Sequence, residues 1–217
     1  MGFGIRGTKN IKNIYYDLKT KKIIDDKLSI TLHEGFYDIV KLLYAESKQY
    51  LKKDYHISLT GHSLGGAVVA IMSLYMQHDG YNIDQVITFG QPKITTKKYI
   101  KQLDDKVPLI RIVDNGDIVP FLPLLEMSTN NKQIADDIKK QELFWHFGSE
   151  VILYKDYFSY LTTHDAERLS NNSLLLNLPH VGIKNHHMKK YLKNIDNIIR
   201  IYDKDLKVNF HDYMSTF

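Results

Sequence analysis

Gly61-His62-Ser63-Leu64-Gly65-Gly66 leaves the chain around it little choice of fold. Tyr55-His56-Ile57-Ser58-Leu59-Thr60, a short apolar run of strand type, precedes it. Ala67-Val68-Val69-Ala70-Ile71-Met72-Ser73-Leu74-Tyr75-Met76, an apolar run of helix length, follows. A strand that passes through Gly-x-Ser-x-Gly into a helix turns so tightly that backbone meets backbone on both sides of the serine. Glycine is needed at both flanks because a Cβ would collide there. The turn lifts the Ser63 hydroxyl above the sheet edge. It also sets the hydroxyl at a helix N-terminus, where free N–H groups and the dipole favour a developing oxyanion. Ser63 is therefore the candidate nucleophile. A Gly-rich connection without chemistry is the plain alternative, and the flanking elements weigh against it.

The apolar runs around this turn continue as alternating elements. Ile30 to Phe36 reads as a short strand running into a helix, with Phe36, Ile39, Val40, Leu43 and Tyr44 on one face. Lys21-Lys22 and Asp25-Asp26-Lys27 before it read as a polar turn. Gln85 to Gly90 reads as a buried strand, Thr95 to Leu103 as a helix, Val107 to Val113 as the next strand and Glu150 to Tyr154 as a later one. This order predicts a mostly parallel sheet covered on both faces. Met188, Tyr191, Leu192, Ile195, Ile198 and Ile199 form the buried side of a closing helix.

Three further stretches carry candidate chemistry. Ile5-Arg6-Gly7-Thr8 could supply a second oxyanion donor at Thr8 from a loop facing Ser63. Asp114 and Asp117 follow a strand end, where functional groups of open α/β sheets gather, and fit the chain order Ser, Asp, His. Either could orient an imidazole, and either could simply shape the Asn115-Gly116 turn. His180, His186 and His187 all qualify by position as a general base. His62 is set aside, because it neighbours the nucleophile and the turn is expected to point it elsewhere. The adjacent histidines lack further ligands at metal-binding spacing, so no metal or cofactor is expected. Ile11, Ile14, Tyr15 and Leu18 share one helical face. That face is either an ordinary amphipathic surface helix or a mobile lid over the Ser63 cleft.

Composition narrows the rest. The 217 residues, 43% hydrophobic, suffice for one domain spanning 1–217 with a sizeable core. No apolar run reaches the roughly 18 residues of a spanning helix. The chain has no cysteine, which excludes disulfides and thiol nucleophiles. The net charge of +4 is dispersed over many lysines. It reads as a solvated surface rather than a nucleic-acid groove, and is compatible with a mild preference for anionic lipid. The first residues lack a secretory signal pattern, so a cytoplasmic chain is expected if the start is genuine.

Together these stretches resemble the class 3 lipases, the fungal-lipase-like branch of the α/β-hydrolases. Ile5-Arg6-Gly7-Thr8 is similar to that family's oxyanion loop, and Leu32-His33-Glu34-Gly35-Phe36 to its Val-His-x-Gly-Phe. Thr60 to Gly66 resembles its Thr-Gly-His-Ser-Leu-Gly-Gly, and Thr88-Phe89-Gly90-Gln91-Pro92 its Thr-Phe-Gly-x-Pro. Asp117 to Pro123 resembles its Asp-x-Val-Pro-x-Leu-Pro, His146 to Val151 its His-x-Gly-x-Glu-Val, and His186 to Tyr191 its last motif. The resemblance implies an α/β-hydrolase fold. It implies Ser63 as nucleophile, Asp117 as acid, His186 as base, and the N–H groups of Thr8 and Leu64 as oxyanion hole. The implied substrate is a lipid ester, triacylglycerol or phospholipid, met at a membrane or micelle surface. Family members carry substantial sequence before the oxyanion loop, whereas four residues precede Ile5 here. The implication is a sheet lacking N-terminal edge strands. A non-catalytic module that binds lipid or protein on the same fold is the alternative.

Overall fold

The structure is a computed structural model and describes residues 1–7, 21–123, 136–162, 165 and 182–206. The described strands are β1 (Gly2–Ile5), β2 (Lys22–Asp25), β3 (Ile30–His33), β4 (His56–His62), β5 (Asn82–Phe89), β6 (Thr95–Thr96), β7 (Leu109–Asp114), β8 (Phe144–Trp145), β9 (Ser149–Leu153) and β10 (Phe158–Leu161). The helices are α1 (Glu34–Ser47), α2 (Leu64–His78), α3 (Ile100–Leu103) and α4 (Met188–Leu206).

The main sheet has the order β1-β4-β5-β7-β9-β10. Its first five strands run parallel and β10 returns antiparallel on β9. A smaller sheet, β2-β3-β6-β8, is antiparallel. Alternation along β4 explains one face of the main sheet: Ile57 and Leu59 are buried, while Ser58 and Thr60 are exposed. The buried side packs on α2. That helix is apolar all round from Ala67 to Met76 and buried all round, as such a composition requires. Its Tyr75 ring meets Tyr44 of α1 at 5.6 Å, so α1 forms the layer beyond. On the opposite face Phe89, Ile112 and Val151 are cross-strand neighbours in one row. Together with Leu153 this row packs against Tyr191, Ile195 and Ile198 of α4. The sheet is therefore mostly parallel with helices on both faces. Because β4, β5 and β7 are parallel, their carboxyl ends lie along one edge, where Ser63, Gly90 and Asp114 to Asp117 emerge.

Several local expectations are corrected. Lys22 to Asp25 is a strand, not part of a polar turn. Each charged end has a partner remote in sequence: Lys22 Nζ reaches Asp137 at 2.7 Å, and Asp25 accepts from the Tyr75 hydroxyl, as well as from Leu28 N–H in the turn that follows. Thr95 to Leu103 is not one helix. Thr95 and Thr96 join the small sheet, and a single 3-10 turn, Lys97–Tyr99, precedes the short α3. Leu43 and Leu192 sit on the edges of their apolar stripes and are exposed.

Candidate active site

Ser63 stands between β4 and α2 with φ 60° and ψ −129°. For a residue with a Cβ this left-handed backbone costs about 1–3 kcal/mol. Both flanking elements hold it there. Ser63 N–H donates to the Phe89 carbonyl at 2.9 Å, and Ala67 N–H donates to the Ser63 carbonyl at 3.2 Å. The backbone crowding anticipated from the sequence is present: a methyl on Gly61 would strike the Gly65 carbonyl, and one on Gly65 the Ile5 carbonyl. Leu64 opens α2, so its N–H belongs to the first turn, whose donors have no partner within the helix. The loop after β1 comes close to the nucleophile, since a Cβ on Gly7 would lie 3.0 Å from Ser63 Cβ. Thr8, the Ile11–Leu18 stretch and His180 lie outside the described residues.

The two aspartates after β7 have different partners. Asp114 accepts from Gly116 N–H at 3.0 Å and from Asn194 Nδ2 at 2.6 Å, which shapes the turn and ties it to α4. Burial pushes its carboxyl above the usual carboxylate range. Asp117 is fully buried. Its Oδ2 accepts from His186 Nδ1 at 2.7 Å and from the Tyr191 hydroxyl at 2.5 Å, and its Oδ1 from Val119 N–H at 2.9 Å. A carboxylate only accepts, so His186 carries its proton on Nδ1 and presents a lone pair at Nε2. Neither His186 Nε2 nor Ser63 Oγ has a partner among the described residues, and both are buried. His187, one residue on, is exposed.

Backbone contacts hold the aspartate loop and the histidine loop to each other. The Gly116 carbonyl accepts from Gly182 N–H at 2.8 Å and from Asn185 Nδ2 at 2.9 Å. His146 Nε2 donates to the Pro120 carbonyl at 2.7 Å, and Lys93 N–H to the Leu122 carbonyl at 2.9 Å. Burial, with Arg111 and Lys93 nearby, holds His146 well below the usual histidine range, which keeps it neutral. Gly90 fills the space behind the pair with φ 56°; a Cβ there would lie 2.8 Å from Asp117 Oδ2 and from His186 Cε1.

His62 corrects the expectation that the turn points it away. Its ring stacks on His186, with centroids 4.6 Å apart and planes 28° apart, and its Nε2 lies 2.7 Å from the His186 carbonyl. Tyr191 was legible as a member of the closing helix's buried side and as the end of the last family motif, but not as a partner of Asp117, and Asn194 was not singled out. The polar Asn194, three residues after Tyr191 within an apolar stripe, was the sequence signal that this face meets polar groups. Among the described residues no group of three or more His, Cys, Asp or Glu could hold a metal ion, and no described helix is long and apolar enough to cross a membrane.

This nucleophile turn and the buried Asp-His pair lie in a chain whose residues 3–127 match the family described as Lipase (class 3). The chain belongs to the class 3 lipase family. The lipase of Rhizomucor miehei is 30% identical over 132 residues, covering 54% of this chain and 36% of that protein. Phospholipase A1-II 1 of Oryza sativa subsp. indica is 27% identical over 123 residues, covering 51% of this chain and 31% of that protein. The chain thus spans about a third of the length of these two relatives. The solved structure of the Rhizomucor miehei triacylglyceride lipase superposes with a TM-score of 0.57 at 25% identity, covering 84% of this chain and 69% of that one. The fold is that of the α/β-hydrolases.

Proposed function

We propose that this chain is a serine hydrolase that cleaves carboxylic esters of lipids through an acyl-enzyme. The observation that carries this reading is the buried Asp117–His186 pair, 2.7 Å apart, on the same sheet edge as the strained Ser63 turn. Lipases and a phospholipase among the relatives support the lipid ester as substrate class.

The chemistry follows from the donors and lone pairs. Ser63 Oγ attacks the ester carbonyl carbon as its proton passes to His186 Nε2. Asp117 holds the ring through Nδ1–H and stabilises the imidazolium. The negative charge that forms on the carbonyl oxygen is met by the N–H of Leu64 and, from the family motif, by that of Thr8. The tetrahedral intermediate expels the alcohol, which takes the proton from His186. Water, deprotonated by His186, then attacks the acyl-Ser63, and the acid leaves as Ser63 regains its proton. A buried site with a dry Asp-His pair strengthens each of these interactions relative to water.

The test is hydrolysis of p-nitrophenyl esters with short and long acyl chains, beside a triacylglycerol emulsion and phosphatidylcholine vesicles, by wild type and Ser63→Ala. Turnover by the wild type that is lost in the variant is expected, and the substrate ranking assigns lipase or phospholipase preference. A folded wild type that turns over none of them contradicts the reading and leaves a binding module on the lipase fold.

A further inference from the structure

We propose that His62 is a positioning residue for the base: it fastens the main chain of His186 to the nucleophile strand and lays its ring against the His186 imidazole. The inference rests on the hydrolase reading above and extends it to a residue outside the Ser-Asp-His set.

Three observations carry it. First, the partner of His62 Nε2 is the carbonyl of His186 itself, at 2.7 Å. A carbonyl only accepts, so the proton of His62 sits on Nε2 and the bond is a donation from the residue before Ser63 to the backbone of the base. Second, the rings stack at 4.6 Å with 28° between planes, and Tyr191 closes the corner edge-on to His62 at 6.0 Å. Third, His62 is the last residue of β4, hydrogen-bonded into the sheet, so its backbone cannot follow a wandering loop.

A core histidine satisfied by any convenient carbonyl is the ordinary alternative. What separates this case is the identity of the acceptor and the stack on the same residue. His186 is thereby gripped at two points. Asp117 holds its Nδ1 from one loop, and His62 holds its carbonyl from the strand that carries the nucleophile. The position of the His186 imidazole relative to the strand that carries Ser63 is then set by two residues rather than by the whole loop between Gly182 and Met188. A displacement of about 1 Å between nucleophile and base is enough to cost roughly 100-fold in rate. The charge state fits as well. Burial, and then the neighbouring His186, push His62 below the usual histidine range, so it stays neutral while His186 takes up the proton from Ser63.

The experiment compares the rate of covalent labelling by a fluorophosphonate, and kcat and KM for a p-nitrophenyl ester, in wild type, His62→Phe, His62→Gln and Ser63→Ala. His62→Phe keeps a ring and removes the donor; His62→Gln keeps an N–H donor and removes the ring. The expected result is a fall of about 10- to 100-fold in labelling rate and kcat for His62→Phe. KM should stay within about threefold, the melting temperature should be near wild type, and His62→Gln should recover part of the loss. Labelling of His62→Phe within about twofold of wild type overturns the inference while leaving the hydrolase reading intact. If His62→Phe does not fold, His62→Leu, which also removes the donor, decides: a rate loss without a drop in melting temperature supports the role, and a wild-type rate removes it. A wild type that is not labelled at all sinks the hydrolase reading and this inference with it.

Discussion

The Tyr191 hydroxyl and His186 Nδ1 donate to the same oxygen of Asp117, at 2.5 and 2.7 Å. Tyr191 comes from the first turns of α4 and His186 from the 3-10 turn just before it, so one short segment supplies both donors. Burial and the adjacent Asp117 hold the Tyr191 phenol well above its usual range, so it remains a donor at any working pH. Tyr191→Phe removes one of the two bonds that fix Oδ2. We expect stability lower by about 1–2 kcal/mol and kcat lower by about tenfold with KM nearly unchanged, read from urea melts and ester hydrolysis. A kcat equal to wild type would mean that Asp117 is held without this hydroxyl.

Asp114→Asn and Asp117→Asn separate the two aspartates in solution. Asn at 114 keeps one oxygen to accept from Gly116 N–H, and its Nδ2 can donate to Asn194 once that amide turns its oxygen inward, so fluorophosphonate labelling should stay within about threefold of wild type. Asn at 117 removes the anion that fixes the imidazole tautomer, and the rate should fall by about 10³- to 10⁴-fold. A reversal of the two effects would move the acid to Asp114.

Gly90→Ala should damage the site more than its distance from Ser63 in sequence suggests. The added methyl would meet Asp117 Oδ2 and His186 Cε1 at 2.8 Å, on a backbone whose φ is 56°. A loss of about 1–3 kcal/mol from the backbone alone is expected, with labelling of Ser63 reduced by roughly 100-fold as the pair is displaced. Gly2→Ala is the control, since no atom lies within 4 Å of its added Cβ.

Lys93 gives a stability prediction with a sign. Its side chain is buried, its Nζ 5.9 Å from the Trp145 ring centroid, and burial pushes its pKa from 10.5 down to about 8. The unfolded chain therefore holds the proton to higher pH than the folded one, so this residue makes stability rise with pH between about 8 and about 10.5. Its cost, about 3 kcal/mol, is fully present below that window and gone above it. Lys93→Met should stabilise the fold by about 1–3 kcal/mol at neutral pH, with the gain vanishing toward the upper end of the window. Urea melts at both pH values check this, and a gain equal at both would rule out the titration as its cause.

The nucleophile turn, α2 and the central strands were legible because their signals are local. Glycine spacing fixes the turn, an unbroken apolar run marks a helix buried all round, and alternation gives β4 its buried face. In the small sheet β3 was legible as the strand that runs into α1, but β2, β6 and β8 were not, nor was β10 of the main sheet. β6 and β8 are two residues each, and their pairing joins Thr95 to Trp145 and Thr96 to Phe144 across a gap no periodicity spans. Lys22 and Asp25 hid β2, because charges whose partners are remote in sequence read as a polar turn. Within the site, residue types and order pointed to Ser63 and to the aspartate and histidine pairs. The Asn115-Gly116 turn was legible, but its bonds to Asn185 and Gly182, which bring Asp117 to His186, leave no trace in spacing, so that pairing came from the family resemblance alone. His62 was misjudged for a related reason: a residue at the end of a strand has two faces to choose from, and the choice depends on α4.

The nucleophilicity of Ser63 decides whether this chain is a serine hydrolase. The direct measurement is the mass of the protein after exposure to a fluorophosphonate, followed by peptide mapping, with Ser63→Ala alongside. A single adduct on the peptide carrying Ser63, absent in the variant, is expected. A folded protein that takes no adduct, or one that takes it equally in Ser63→Ala, contradicts the hydrolase reading.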